Sequence, residues 1–348
     1  MLNLNEDLLK IVEKNSSRFY KLMKSCLGIK NEKILIISDY GTEKRQLAAM
    51  LAYGYYYAAN NKKHNVEILY QEIKKGFMRA DNHVIKALDG LSKKSVIILS
   101  LSNKLGRIGT QKSFRSFCKS RGHRFISTTG LGDAKNTHFE LFLEAIDLNY
   151  TRLKKKGLAI KKKFDKAKQL RVKTDAGTDL IFDIEGMVSI SNDGNYTLDG
   201  SGGNIPAGEV YIPPKGYFGV NGKIVIDGSM KTDQGTILLD EPVILFVEEG
   251  RVTKIEGKHA LLLEKTLQKY ENRAKYPYRV RHIGEFGVGI NSGAVLIGST
   301  IMDEKVLGTA HIAIGSNYWF GGEIRTIFHG DQIFKSPKIF LDGKKLII

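Results

Sequence analysis

Cysteine is nearly missing from this chain: among 348 residues only Cys26 and Cys118 occur. That excludes a disulfide framework and a cysteine-based zinc site, and two lone thiols fit a reducing compartment. Also missing is any apolar run near the roughly 20 residues needed to span a bilayer. The start Met1-Leu2-Asn3-Leu4-Asn5-Glu6-Asp7 has neither the basic opening nor the apolar core of a secretory signal. The expectation is a cytoplasmic protein with no membrane partner. Prolines number only six, and no Pro-rich linker, internal repeat or low-complexity tract appears. Acidic residues fall short of basic ones, 37 against 54, for a net charge of +17 that favours acidic partners. Much of the excess sits in Lys154-Lys155-Lys156 and Lys161-Lys162-Lys163, without interleaved aromatics. That is the pattern of a solvated helix face, so nucleic acid is not an expected partner.

What is present is an ordinary globular composition, 42% hydrophobic and 26% charged, long enough for two domains with a core each. In the first half, continuous apolar strands at 33–38 and 96–101 alternate with helical patterns at 42–60, 82–88 and 114–120, with shorter strands at 66–70 and 124–127. Strands apolar throughout and separated by helices predict a parallel sheet covered on both faces. The expected fold is α/β, with a Rossmann-like parallel-sheet domain over 1–170. Where a dinucleotide fold carries G-x-G-x-x-G, this chain has Asp39-Tyr40-Gly41-Thr42, so no dinucleotide site is expected. Residues 136–168 read as helical with a break near Gly157. Beyond them short β-type runs and glycines predict a β-rich α+β domain over 171–348, with a two-residue hairpin turn at Asn221-Gly222 and another turn at Glu249-Gly250.

The chemistry is concentrated in the last fifth. In Gly284-Glu285-Phe286-Gly287-Val288-Gly289 strand alternation puts Glu285 on the face of two glycines; in the run from Thr309 to Gly315 it puts His311 with Ala313 and Gly315; His329 and Asp331 stand at i and i+2. One ligand-type side chain among small residues, backed by an apolar face, leaves room for an ion and a substrate. A further carboxylate, Glu209, lies in a Gly- and Pro-rich segment entering an extended run, Asn204-Ile205-Pro206-Ala207-Gly208-Glu209-Val210. Carboxylates and imidazoles without sulfur suit zinc, cobalt or manganese.

Taken in order, Asn-x-Pro-x-Gly-Glu-Val, Gly-Glu-Phe-x-x-Gly-x-Asn, Asp-Glu-Lys, Gly-Thr-x-His-Ile-Ala-x-Gly and His-x-Asp resemble the metallo-aminopeptidases of the aminopeptidase T and aminopeptidase S type. The resemblance is specific over about residues 170–348. It implies a metallopeptidase domain holding two divalent ions, with Glu209, His311, His329 and Asp331 as ligands, Glu285 shared between the ions, and Glu304 a further acidic ligand. It also implies that Tyr318 stands beside the metals, donating to an oxyanion, and that Glu209 or Glu304 moves a proton. The implied activity is removal of N-terminal residues from short peptides by metal-activated water, in a homodimer whose first domains wall off the site. Two other readings stand beside it. Ring-cleaving iron dioxygenases acting on dihydroxypyridines share this fold, and His311, His329 and Asp331 would supply their two-histidine, one-carboxylate set. A basic, non-enzymatic binding protein is the third. His282, close to Glu285, is a candidate to support the metal shell.

Overall fold

The computed structural model describes residues 4–109 and 113–348; the first three residues of the N-terminal start lie outside it. The chain divides into two compact units, one of residues 1–150 with 194–207, the other of residues 151–193 with 208–348. The division thus falls at 150/151 rather than near 170, because the Lys-rich helix Tyr150–Phe164 runs into the second unit, and residues 194–207 return to the first. Among the described residues no helix is long and apolar enough to cross a membrane.

The first unit is built on a five-stranded sheet in the order Val66–Gln71, Ile34–Asp39, Val96–Ser100, Arg124–Thr128, Gly202–Asn204, every neighbouring pair parallel. Every residue of the strands Ile34–Asp39 and Val96–Ser100 is buried, which is why their sequences are apolar without alternation. The helix expected over 42–60 begins only at Leu47, since Thr42 and Arg45 exchange backbone hydrogen bonds in a tight bridge instead. The fifth strand was not legible in the sequence because two of its three residues are glycine and the third is asparagine. A Cβ on Gly202 would stand 2.2 Å from the Phe125 ring and one on Gly203 2.4 Å from the Tyr196 hydroxyl, so no larger residue fits.

The second unit holds two seven-stranded, antiparallel sheets. One has the order Arg251–Glu256, Val243–Glu248, Val220–Ile226, Asp179–Asp183, Gln169–Lys173, Lys338–Leu341, Lys344–Lys345. The other has Gly235–Leu238, Ser229–Thr232, His329–Lys335, Thr309–Gly315, Ile283–Gly289, Glu209–Ile212, Ile190–Asn192. Phe286 of the second sheet meets Phe182 of the first at 5.3 Å between ring centroids. Its burial stabilises by about 1.5–3 kcal/mol, and it commits the face bearing Glu285 to the opposite side of the sheet. Two turn expectations meet different outcomes. Glu249 and Gly250 do turn the chain between adjacent strands, both at positive φ. Asn221 and Gly222 do not: they lie inside the strand Val220–Ile226, where Gly222 pairs with Val247 and Leu180, and the Asn221 side chain accepts from the Glu249 N–H at 2.8 Å. Nor does the helix break at Gly157; glycine is needed there because a Cβ would stand 2.3 Å from Ser191 Oγ.

Candidate metal centre

Four adjacent strands carry the ligand-type side chains. Register places Glu285 opposite Ala313 and Ala313 opposite Asp331, so an alanine spaces two carboxylates across one face. Gly287 pairs with His311, and Gly289 with Glu209. A Cβ on Gly287 would lie 2.1 Å from His311 Nε2, so the glycine is the space the imidazole occupies. Strand alternation therefore does bring these side chains to one face, and the small residues beside them are what let them converge.

The result is a buried cluster. Glu209, Glu285 and His311 offer ligand atoms within 4.8 Å of one another, and so do Glu285, His329 and Asp331. Glu285 belongs to both sets: its Oε1 is 3.2 Å from His311 Nε2, and its Oε2 is 3.8 Å from His329 Nε2. His329 Nε2 lies 3.4 Å from Asp331 Oδ1, and His311 Nε2 lies 3.8 Å from Glu209 Oε2. The trio of His311, His329 and Asp331 is not the one that closes; Glu285 takes the place of His311 beside the His-x-Asp pair.

The two imidazoles differ in how they are held. His329 Nδ1 donates to the Ser316 carbonyl at 2.7 Å, which fixes that nitrogen as a proton donor and turns Nε2 toward the carboxylates as the nitrogen a metal would take. His311 Nδ1 is buried without a hydrogen-bond partner among the described residues. Its ring is best satisfied with the proton on Nε2, donating to Glu285.

Lys305, not assigned from sequence although it stands in the Asp-Glu-Lys motif, is fully buried here. Its Nζ donates to Glu209 Oε1 at 2.6 Å and also to Glu304, while Asn192 Nδ2 donates to the same Glu209 oxygen at 3.2 Å. Glu304 thus lies outside both triads, paired with the ammonium. Burial, with Glu209 and Asp331 nearby, pushes its carboxyl up to about 8 despite Lys305. Burial disfavours a charged His329, yet Asp331 and Glu285 outweigh it and raise its pKa to about 10; His311 is raised to about 9 against the same burial, chiefly by Glu285. A cluster that pulls protons onto two imidazoles is one that calls for cationic charge, and its donor chemistry fits a divalent ion of the first transition row.

Tyr318 is 59% exposed, and its ring lies 5.3 Å from the Arg325 guanidinium. The aromatic that reaches the cluster is its neighbour Trp319, edge-on to His329 at 4.7 Å. Nothing in the motif distinguishes these two neighbours, because their assignment depends on how the short turn Tyr318–Phe320 is rotated.

An α/β unit joined to a double-sheet unit carries a buried cluster with the donor set of a metal-binding enzyme. The family model described as NicX, 2,5-dihydroxypyridine 5,6-dioxygenase, matches residues 148–348. The chain belongs to that family. Its structure is similar to that of 2,5-dihydroxypyridine dioxygenase from Pseudomonas putida KT2440, with a TM-score of 0.74 at 17% identity over 97% of this chain and 96% of that one. It is also similar to wild-type AmpT from Thermus thermophilus, with a TM-score of 0.64 at 13% identity over 96% and 100%. No curated protein matches the sequence. The aminopeptidase resemblance therefore holds for the fold, while the family match falls on the dioxygenase.

Proposed function

We propose that this chain is a ring-cleaving dioxygenase with one metal ion, acting on a hydroxylated pyridine or a closely related hydroxylated ring. The observation that carries the reading is the difference between the two imidazoles. His329 is anchored through Nδ1 with its Nε2 turned toward Asp331 and Glu285, whereas His311 is placed to hold a proton against Glu285, and the far end of the cluster already contains the Lys305 ammonium.

Glu285, His329 and Asp331 would hold that ion; when bound, an iron there supplies the redox contact between an electron-rich ring and dioxygen. In the reaction that names the family, the C5–C6 bond breaks and both oxygen atoms remain in the product, so no external reductant is required. Trp319 packs against His329 and restricts its ring, and His311 steadies Glu285 through its Nε2 proton.

One observation favours the second reading, a two-metal aminopeptidase: Glu285 turns one oxygen to each triad, as a bridging carboxylate would. In that reading Glu209 becomes a ligand through Oε2, Glu209 or Glu304 carries the proton, and Tyr318 must rotate inward to reach the oxyanion. Oxygen uptake and peptide release, measured on the same iron-reconstituted and cobalt- or zinc-reconstituted preparations, separate the two. Oxygen uptake with 2,5-dihydroxypyridine or another dihydroxylated ring supports the first; release of N-terminal residues from short peptides without oxygen uptake supports the second.

A further inference from the structure

The second unit contains another cavity, about 670 Å³, whose lining includes no member of either triad. It is formed where the turn at Tyr217, the hairpin carrying Arg251 and the short turn Pro277–Arg279 come together, with His282 at its wall. That size is within the range of small-molecule sites.

Its chemistry is specific. The Arg279 guanidinium lies 4.3 Å from the Tyr276 ring centroid and 5.5 Å from those of Tyr217 and Tyr278, and its Nε donates to the Tyr278 hydroxyl at 3.2 Å. No carboxylate among the described residues pairs with it. A guanidinium held in place by aromatic faces keeps its remaining N–H groups available for a planar anion, at little cost in side-chain freedom. Arg251 adds a second positive charge, its guanidinium only loosely paired with Glu271 at 3.7 Å.

His282 supplies an independent observation. It is only 5% exposed, and its Nδ1 donates to the Tyr278 carbonyl at 2.9 Å. Its Nε2, on the ring that lines the cavity, therefore carries a lone pair with no hydrogen-bond partner among the described residues. Burial, with Arg251 and Arg279 nearby, lowers its pKa and keeps the ring neutral. A cavity lined by two guanidiniums, tyrosine rings and a neutral imidazole acceptor has the groups for a flat ligand bearing an acid and a hydroxyl. Glu248 and Glu249 also line the cavity, both exposed, on the hairpin turn.

We infer that this cavity is a second binding site, for an aromatic carboxylate bearing a ring hydroxyl, with Arg279 and Arg251 taking the acid, Tyr217 and Tyr278 the ring, and His282 Nε2 accepting from the hydroxyl. The inference does not rest on the proposed oxygenase reaction, because no residue in it serves the metal centre.

Calorimetric titration of the full chain with 4-hydroxybenzoate, benzoate and tyramine tests it. The expected result is one 4-hydroxybenzoate per chain, with benzoate weaker by about tenfold and tyramine not binding. R279Q should weaken 4-hydroxybenzoate by at least tenfold. H282F should weaken it several-fold while leaving benzoate unchanged, which a merely structural role would not do. D331N, in the metal centre, should leave both acid affinities as they were. Thermal melting of each variant identifies one that has lost its fold, and R251Q is then the substitute for R279Q. The inference is overturned if 4-hydroxybenzoate shows no saturation at millimolar concentration, if tyramine binds as tightly, or if D331N abolishes binding while R279Q and R251Q do not.

Discussion

Lys305 Nζ lies 2.6 Å from Glu209 Oε1, with both side chains almost wholly removed from water. In a site read as two-metal, that ammonium stands on one of the carboxylates a second ion would need. Glu209 keeps one oxygen toward His311 and gives the other to Lys305 and Asn192.

Substituting Lys305 by Met leaves Glu209 and Glu304 buried without their cation. Breaking one partner of a buried pair costs about 3–5 kcal/mol, so K305M should unfold at markedly lower denaturant concentration. Part of that loss should be recovered by added divalent metal, since the vacated end then becomes a cation site. Metal per chain, measured by plasma emission, should rise from about one toward two in K305M. A wild-type melt and an unchanged metal content would show that the pair carries neither role.

The two histidines should separate under mutation. H329Q removes the imidazole anchored through Nδ1 with its Nε2 turned toward the carboxylates, and metal should be lost. H311Q leaves Glu285, His329 and Asp331 in place, so the ion should remain while turnover falls. Loss of about the same metal fraction from both variants would point to a bridged pair of ions.

Gly287→Ala places a methyl group where His311 Nε2 lies. Overpacking of this kind costs about 1–3 kcal/mol, and here the ring must move away from Glu285. Activity should fall far more than stability, read from the rate at saturating substrate against the unfolding midpoint.

Both cysteines are fully buried, and burial pushes the Cys118 thiol up to about 12, only partly offset by Arg115. The native protein should therefore leave a chromogenic disulfide reagent unreacted for minutes and release two equivalents at once in guanidinium chloride. Fast reaction of one thiol in the native state would show that its element opens.

Much of this was legible in the sequence. Strands buried on both faces, such as Ile34–Asp39, announce themselves by continuous apolar runs, and period-two alternation put Glu285, His311 and Asp331 on one face. Less local features were not. The strand Gly202–Asn204 has no apolar side chain to signal it, and Gly202 answers to the ring of Phe125, far away in sequence. Asn221-Gly222 carries the local chemistry of a hairpin, but pairing on both sides by Leu180 and Val247 holds it extended. Lys305 looks like any charged residue beside Glu304 until the strand bearing Glu209 is brought against it. His282, a candidate from its place near Glu285 in the sequence, lines the cavity at Arg279.

The most direct test of the one-metal oxygenase account is metal content and oxygen uptake measured together on protein purified and reconstituted with iron without air. The account expects close to one iron per chain and, on mixing with 2,5-dihydroxypyridine or a related dihydroxylated ring, one dioxygen consumed per ring opened. Two ions per chain with peptide hydrolysis, and no oxygen uptake across a panel of dihydroxylated rings, would contradict it.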